Sequence, residues 1–542
     1  MLDSIPALRR MSLTMSIPLL RTPLSLSDIL TTVQRNTHLS LAFLLGFSLL
    51  LIVRYHQSPW RRLPPGPKGL PLLGNIFQLG PKQWLTFADW RKTYGDLIYL
   101  NAAGQPILVL NSQKAAADLL DRRAANYSGR ARNFVAADIL AGGLLMVFNQ
   151  HSDIWRRMRK AAHEGLNKTM VQNYNHKQTS EAALLASGIL TEPQFWDQHM
   201  RRTAASTIMS VMYDSPTITS EHDPSVSRIN DFVYRLTRAA LPGAHFVEFF
   251  PWMMHIPSWL AKWKREAEEW FIRDTKLFEG LYLGAQGEGR KSFSGTLMED
   301  DRFGLSLREK AWLVGGMYAA GAETTSGVLA WWMLAMTAYP ETQRRAQAEL
   351  DAVVGRSRIP SFADFDHLPY IRAMVKEALR WHSVTPFAMP HLAVEDDWYE
   401  GYFIPAGTMC IPNVWHINRD PEIYGPDAAH FNPARHLDAE GRVAQGPADT
   451  KEESHCSFGF GRRLCVGRNV ANNSLFIDIA MMLWAANIEP ATDASGKPAP
   501  LDLEGCIDDG LVIRPVPFEC KITPRFPEAL SILEEEQEIL GK

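Results

Sequence analysis

Leu39 to Val53 reads LSLAFLLGFSLLLIV, the only long uncharged apolar run in the chain. Thr37, His38 and Tyr55 can extend it and Arg54 can snorkel, which brings it to the span of about 17 to 25 residues that crosses a bilayer. Beyond it, apolar residues recur at helical spacing over Gln113–Arg123, Asp153–Glu164, Ser306–Ala338, Glu341–Val354, Leu368–His382 and Val466–Ala485. Short strand-like runs stand at Leu97–Asn101, Ile107–Leu110, Met409–Pro412 and Leu511–Pro515. The pattern predicts a mainly α fold with a minor β-sheet region, preceded by a single N-terminal membrane anchor.

The segments follow from composition along the chain. Residues 1–36 form an N-terminal leader and 37–55 the transmembrane anchor. Residues 56–80 form a hinge, because LPPGPKGLPLLGN (Leu63 to Asn75) holds too many prolines and glycines for helix or central strand. Residues 81–525 form one large body with no internal repeat, and 526–542 a C-terminal tail. A cleaved signal peptide fits poorly: the apolar run begins 38 residues in, no A-x-A site follows, and Arg54, Arg61 and Arg62 come next. A buried helix and a mitochondrial presequence are the other readings. Arg54, Arg61, Arg62 and Lys68 after the run outnumber Arg21 and Arg35 before it, which places the body in the cytosol.

The 542 residues are 46% hydrophobic and 21% charged with net charge −3, values of an ordinary globular chain and not of a disordered one. The near balance of 56 basic and 59 acidic residues gives no electrostatic ground for nucleic acid as a partner. Five cysteines without C-x-x-C spacing exclude a disulfide framework and a zinc finger.

One cysteine stands in a dense pattern. FGFGRRLCVG satisfies F-x-x-G-x-R-x-C-x-G at Phe458, Gly461, Arg463, Cys465 and Gly467. At about 5% per fixed residue, its chance occurrence in a chain this long is on the order of 10⁻⁴. A metal-binding thiolate needs close backbone approach, hence glycines, and donors that temper its charge. Cys465 also stands where an amphipathic helix begins, so free N–H groups and the helix dipole favour the anion.

With these residues the chain resembles the cytochrome P-450 family, the haem-thiolate monooxygenases, from about Leu63 to Arg525, and in its membrane-anchored, fungal form. The resemblance implies haem b as cofactor with Cys465 as its axial iron ligand, the thiolate favouring O–O cleavage. Ala320 to Thr325, AGAETT, matches the family's oxygen-binding helix motif and implies Glu323 and Thr324 as catalytic acid and alcohol. Gly315, Gly316 and Gly321 in that helix cost about 1 kcal/mol each against alanine, so either something approaches the backbone there or the helix opens locally.

Further matches extend the site. Trp155 and Arg159, at i and i+4, fit the family's W-x-x-x-R element, which with Arg463 and His391 implies binding of the haem propionates. Glu377 and Arg380 fit E-x-x-R and, with Arg435, imply a fold-locking network. The family's usual P-E-R-F reads Pro433-Ala434-Arg435-His436 here, so its glutamate and phenylalanine are replaced.

By the same resemblance, one oxygen atom from O₂ enters a C–H or C=C bond. Electrons come from NADPH through NADPH-cytochrome P-450 reductase, since this chain shows no nucleotide-binding fingerprint. Arg156, Arg157, Lys160, Arg462 and Arg468 form a basic face for that donor. The expected pocket segments, Asn126–Val147, Gly316–Ala320, Val384–Ala388 and Leu511–Val512, are largely small and apolar, including Ala136, Ala137, Leu140, Leu144, Ala319, Val384 and Phe387. They point to a hydrophobic small-molecule substrate, in fungal relatives a secondary metabolite such as a terpenoid or polyketide. The expected location is the endoplasmic reticulum membrane, single-pass, with a cytosolic catalytic domain. A haem-thiolate isomerase, dehydratase or peroxygenase without a reductase, and a non-catalytic haem sensor, are the alternatives; neither needs the acid–alcohol pair.

Overall fold

The structure is a computed structural model that describes residues 37–540 apart from 221–222, 242, 288–290, 493–495, 509 and 511, and only the backbone of 37–40. The expected leader, with Arg21 and Arg35, and Leu511 of the expected pocket lie outside the described residues. The chain divides into two compact units, Met1–Leu63 and Pro64–Lys542. In the first, helix α1 spans Thr37–Gln57, and its apolar side chains from Leu41 to Val53 are exposed. Among the described residues no helix is long and apolar enough to cross a membrane. The helix expected over 37–55 therefore forms, but its crossing of a bilayer rests on the sequence alone.

In the second unit the Pro/Gly stretch is seated on a strand. The Pro65 carbonyl accepts from Tyr99 N–H and Asn75 N–H donates to the Asn101 carbonyl, both in β1 (Leu97–Ala102). β1 pairs antiparallel with β2 (Gln105–Leu110) through a two-residue turn at Ala103-Gly104. Helix α2 (Gln113–Ala116) continues into a π-helical turn, Ala117–Arg122. Then come α3 (Asp153–Gly165), α4 (Asn175–Thr191) and α5 (Trp196–Tyr213).

The longest helix, α6 (Leu307–Ala338), starts on a capping box, with Ser306 and Glu309 bonding each other's backbone N–H. It ends before Pro340, which starts the next helix at its first turn. After α7 (Pro369–Trp381), β3 (His391–Leu392) and β4 (Met409–Pro412) complete a four-stranded sheet of order β1-β2-β4-β3. Helix α8 (Arg468–Ala485), the hairpin β5 (Cys506–Asp508) with β6 (Ile513–Pro515) and α9 (Ala529–Ile539) close the chain. The helices and strands read from hydrophobic spacing thus form with ends shifted by at most two residues.

One apolar core gathers the C-terminal halves of α6 and α4 with α7 and α8 around the fully buried Trp331, Trp332, Trp381 and Trp484. A second packs the first half of α6 with α3, α5 and the π-helical segment Phe134–Leu140. Part of the expected tail belongs to the first core, because Ala529 and Leu533 are buried in it.

Candidate active site

The FGFGRRLCVG loop leads into α8, and its hydrogen bonds fold it back on itself. Cys465 N–H donates to the Phe458 carbonyl at 2.9 Å and Leu464 N–H to that of Gly461 at 3.2 Å. Gly461 has φ +58°, and a Cβ there would lie 2.1 Å from the Leu120 carbonyl oxygen. Its glycine is therefore required by the backbone of the neighbouring π-helical turn and not by the thiol. Gly467 is less constrained, since its Cβ would meet Cys465 Sγ at an ordinary 4.0 Å. Phe458 is partly buried and packs on the His455 ring at 5.3 Å.

The Cys465 side chain is open to solvent-sized space, yet protein encloses it closely enough that burial pushes its thiol above the ordinary value. The two facts together describe a thiol on the wall of an internal hollow. Gly467 N–H, Arg159 and Arg468 pull toward the thiolate but do not outweigh burial. A bound metal ion would add the positive charge that favours the thiolate.

Around this hollow the structure collects positive charge. Arg463 lies over the Trp155 ring, 4.3 Å from its centre. It donates from Nε and Nη2 to the Ser128 carbonyl and from Nη2 to that of Asn149, while its buried Nη1 has no partner. Arg159 Nη2 donates to the Leu464 carbonyl. His391 Nδ1 lies 2.7 Å from the Tyr127 carbonyl oxygen. Its pKa is pushed down to about 3 by burial and by Arg130.

Arg130 was not singled out from the sequence. It is buried, donates to the carbonyls of Val147, Met389 and Pro390, and is pushed down to about 9 by burial and Arg463. An arginine among apolar and small residues was the only signal available for it. None of Arg130, Arg159 and Arg463 forms an ion pair with a carboxylate among the described residues. Buried or partly buried guanidiniums without acids, one with a buried, orphaned N–H, fit the carboxylates of an anionic ligand. With a thiol on the hollow's wall, the donor set fits haem.

α6 is buried from Lys310 to Thr337 except for partly covered residues and one exposed residue, Ala320, where AGAETT begins. The helix does not open there: Thr324 hydroxyl donates to the Ala320 carbonyl at 2.9 Å within a continuous helix. Its glycines instead admit neighbours, the Phe278 ring at Gly315, Leu145 at Gly316 and Ile208 at Gly321. Glu323 belongs to a closed ring. Its Oε2 meets Arg201 Nη1 at 3.4 Å, and Arg201 Nε meets Asp197 at 2.9 Å. Asp197 binds Arg514, whose Nη1 donates to Ser326 at 3.1 Å, and Ser326 donates to the Glu323 carbonyl.

A cavity of about 470 Å³ lies beside Glu323 and Arg201, lined by Asn230, Tyr234, Thr237 and Val512 among others. Val512, one of the residues expected to line the substrate pocket, borders this cavity. Ala136, Leu140 and Ala319 belong to the second core and Val384 to the first.

Glu377 and Arg380 are both fully buried and joined by two bonds of 2.7 Å. Arg435 Nε reaches the same carboxylate at 3.1 Å. On the basic face, Arg156 and Arg157 pair with Asp153 and Arg468 with Glu453.

Comparison with known proteins bears on this arrangement. The Cytochrome P-450 family model matches residues 64–521. A cytochrome P-450 monooxygenase of Armillaria gallica is 68% identical over 495 residues, 90% of this chain and 95% of the relative. Another from the same fungus is 58% identical, covering 93% and 99%. One from Amanita muscaria is 40% identical, covering 88% and 94%. A zebra fish cytochrome P-450 solved with progesterone superposes with TM-score 0.66 at 24% identity, over 82% of this chain and all of that one, a likeness of fold. A thiol in an internal hollow, arginines without acids beside it and a match along the whole body lead to one conclusion: the chain belongs to the cytochrome P-450 family and is a monooxygenase.

Proposed function

We propose that this monooxygenase inserts one oxygen atom from O₂ into a hydrophobic organic molecule, a fungal secondary metabolite such as a terpenoid or polyketide. Its electrons come from NADPH through a separate membrane-bound reductase. The observation that carries the site assignment is the trio Arg130, Arg159 and Arg463, the first buried and the other two partly buried, with no carboxylate partner among the described residues. Bound there, haem supplies the reductive activation of O₂. Cys465 would ligate its iron, and Arg463, Arg159, His391 and Trp155 would hold its carboxylates. Phe458, Gly461 and Gly467 shape the ligand loop. Glu323, with solvent on one side and Arg201 on the other, passes protons inward, and the Thr324 hydroxyl hands them on. Arg201, itself paired with Asp197, holds the acid in place.

The fungal sources of the relatives support the substrate class. Lys160 and Arg462, which have no acidic partner among the described residues, leave charge free on the basic face for an acidic electron donor. α1, with Arg54 in its last turn and Arg61, Arg62 and Lys68 beyond it, anchors the chain in the endoplasmic reticulum membrane with its body in the cytosol.

The test is a metabolite screen of membranes carrying the protein, with reductase and NADPH, against the Cys465→Ala variant. New oxygenated products with the wild type alone are expected. Products made without reductase or NADPH would favour the peroxygenase reading. A variant that keeps the red-shifted band of the reduced CO complex would refute the ligand assignment.

A further inference from the structure

Asp121, near the end of the π-helical turn Ala117–Arg122, faces the cysteine loop. Its Oδ1 accepts the Gly461 N–H, and its Oδ2 accepts Lys451 Nζ at 2.8 Å. The residue before it, Leu120, presents the carbonyl oxygen that leaves no room for a Cβ on Gly461. Lys451 also lies over the Phe460 ring, 5.2 Å from its centre. It belongs to a short stretch in which Asp449, Lys451, Glu452 and Ser454 all adopt positive φ. Non-glycine residues hold that conformation only where surrounding contacts determine it, which marks the stretch as firmly set.

Both contacts converge on the turn that begins the loop. Gly461 is joined by its own carbonyl to Leu464 N–H, next to Cys465. A carboxylate that takes the Gly461 N–H therefore sets the start of the short path to the thiol, and the lysine balances its charge. We infer that Asp121 is a positioning residue for the thiolate, a clasp that fixes the cysteine loop to the π-helical turn and tunes the iron through its Lys451-balanced charge. The inference rests on the reading of Cys465 as axial ligand.

Two variants separate the parts of the clasp. Asp121→Ala removes the acceptor, and a hydrogen bond to a charged group is worth enough to change an equilibrium or rate by on the order of tenfold. Asp121→Asn keeps an oxygen for Gly461 N–H but removes the charge. The readouts are the persistence of the red-shifted reduced-CO band in mild urea, the haem reduction potential and the melting temperature, all on full-length holoprotein.

The expected result is that Asp121→Ala loses the band about tenfold faster than wild type. Asp121→Asn keeps it and shifts the potential upward, since a negative charge beside the ligand loop has gone. Lys451→Met, leaving the carboxylate unbalanced, shifts the potential downward. A merely structural clamp would lower melting and leave the potential unmoved in Asp121→Asn and Lys451→Met, which overturns the tuning. If Asp121→Ala does not fold, an Asp121→Asn protein with wild-type potential likewise overturns it. Wild-type protein without the red-shifted band refutes the axial-ligand reading and this inference with it. A wild-type band that Asp121→Ala leaves equally persistent refutes the clasp alone.

Discussion

His436 Nε2 lies 2.9 Å from Oε2 of Glu377, and both side chains are buried. The histidine stands where the family's usual motif has phenylalanine, and here it is a fourth donor to the network's carboxylate. Oε1 of Glu377 accepts from Arg380, Arg435 and the Asn432 N–H; Oε2 accepts from Arg380 and His436. Burial alone would raise this carboxyl. Arg380 and then His436 outweigh it and hold the group well below the usual carboxylate range.

Removing one partner of this pair leaves a buried charge uncompensated, at a cost of about 3 to 5 kcal/mol. Glu377→Ala and Arg380→Ala are therefore expected to yield little folded holoprotein. Measurement of haem content and melting in matched preparations decides it. Variants that load haem and melt like the wild type would show that the pair does not lock the fold.

His436→Phe restores the family's residue but removes the donor to Oε2. The expected loss is smaller, about 1 to 3 kcal/mol, because Arg380 still serves that oxygen. Urea unfolding of the two proteins measures it. Equal or greater stability in the phenylalanine variant would mean that ring packing outweighs the hydrogen bond.

Acid sensitivity follows from buried histidines. His382 is held well below its ordinary value by burial and Arg419, and His455 by burial and Lys376. Both are neutral when folded and take up a proton at about pH 6.5 when unfolded. There is no penalty above that pH. Below it, stability falls by up to about 1.4 kcal/mol per pH unit for each histidine. Glu377, depressed in the fold, adds a further loss once the pH drops below about 4.3, where the unfolded carboxyl protonates. Melting at pH 7.5, 6.5, 5.5 and 4.5 should stay level over the first step and then decline progressively. A flat profile down to pH 4.5 would contradict the assignment.

Thr324→Ala is expected to leave haem content and melting near wild type, since the hydroxyl's visible partner is only the Ala320 carbonyl one turn earlier. If the hydroxyl hands protons on, product per NADPH consumed should fall by on the order of tenfold or more, with hydrogen peroxide released instead. Glu323→Gln should act in the same direction, with slower NADPH consumption. An unchanged ratio in Thr324→Ala would make the threonine structural, or assign its role to an oxygen on the substrate.

Much of this was legible along the chain, and for a physical reason. Helical spacing located α3, α6, α7 and α8 because each presents one face to a core or is apolar enough to be buried whole. Cys465, Arg463, Glu377 and Arg380 were legible because their chemistry depends on short, fixed separations within one segment. The helices α4 and α5 were not read: α5 is buried along nearly its whole length and so lacks a polar face. What the tertiary structure alone decided lies between distant segments. Arg130 joined the positive hollow, Arg201 and Arg514 closed a ring on Glu323, and His436 proved to be a ligand of Glu377 where sequence showed only a lost phenylalanine. Side-chain charge and spacing are written locally. Which buried donor meets which acceptor is set by packing across the chain, where an unpaired polar group costs too much to leave the choice to local sequence.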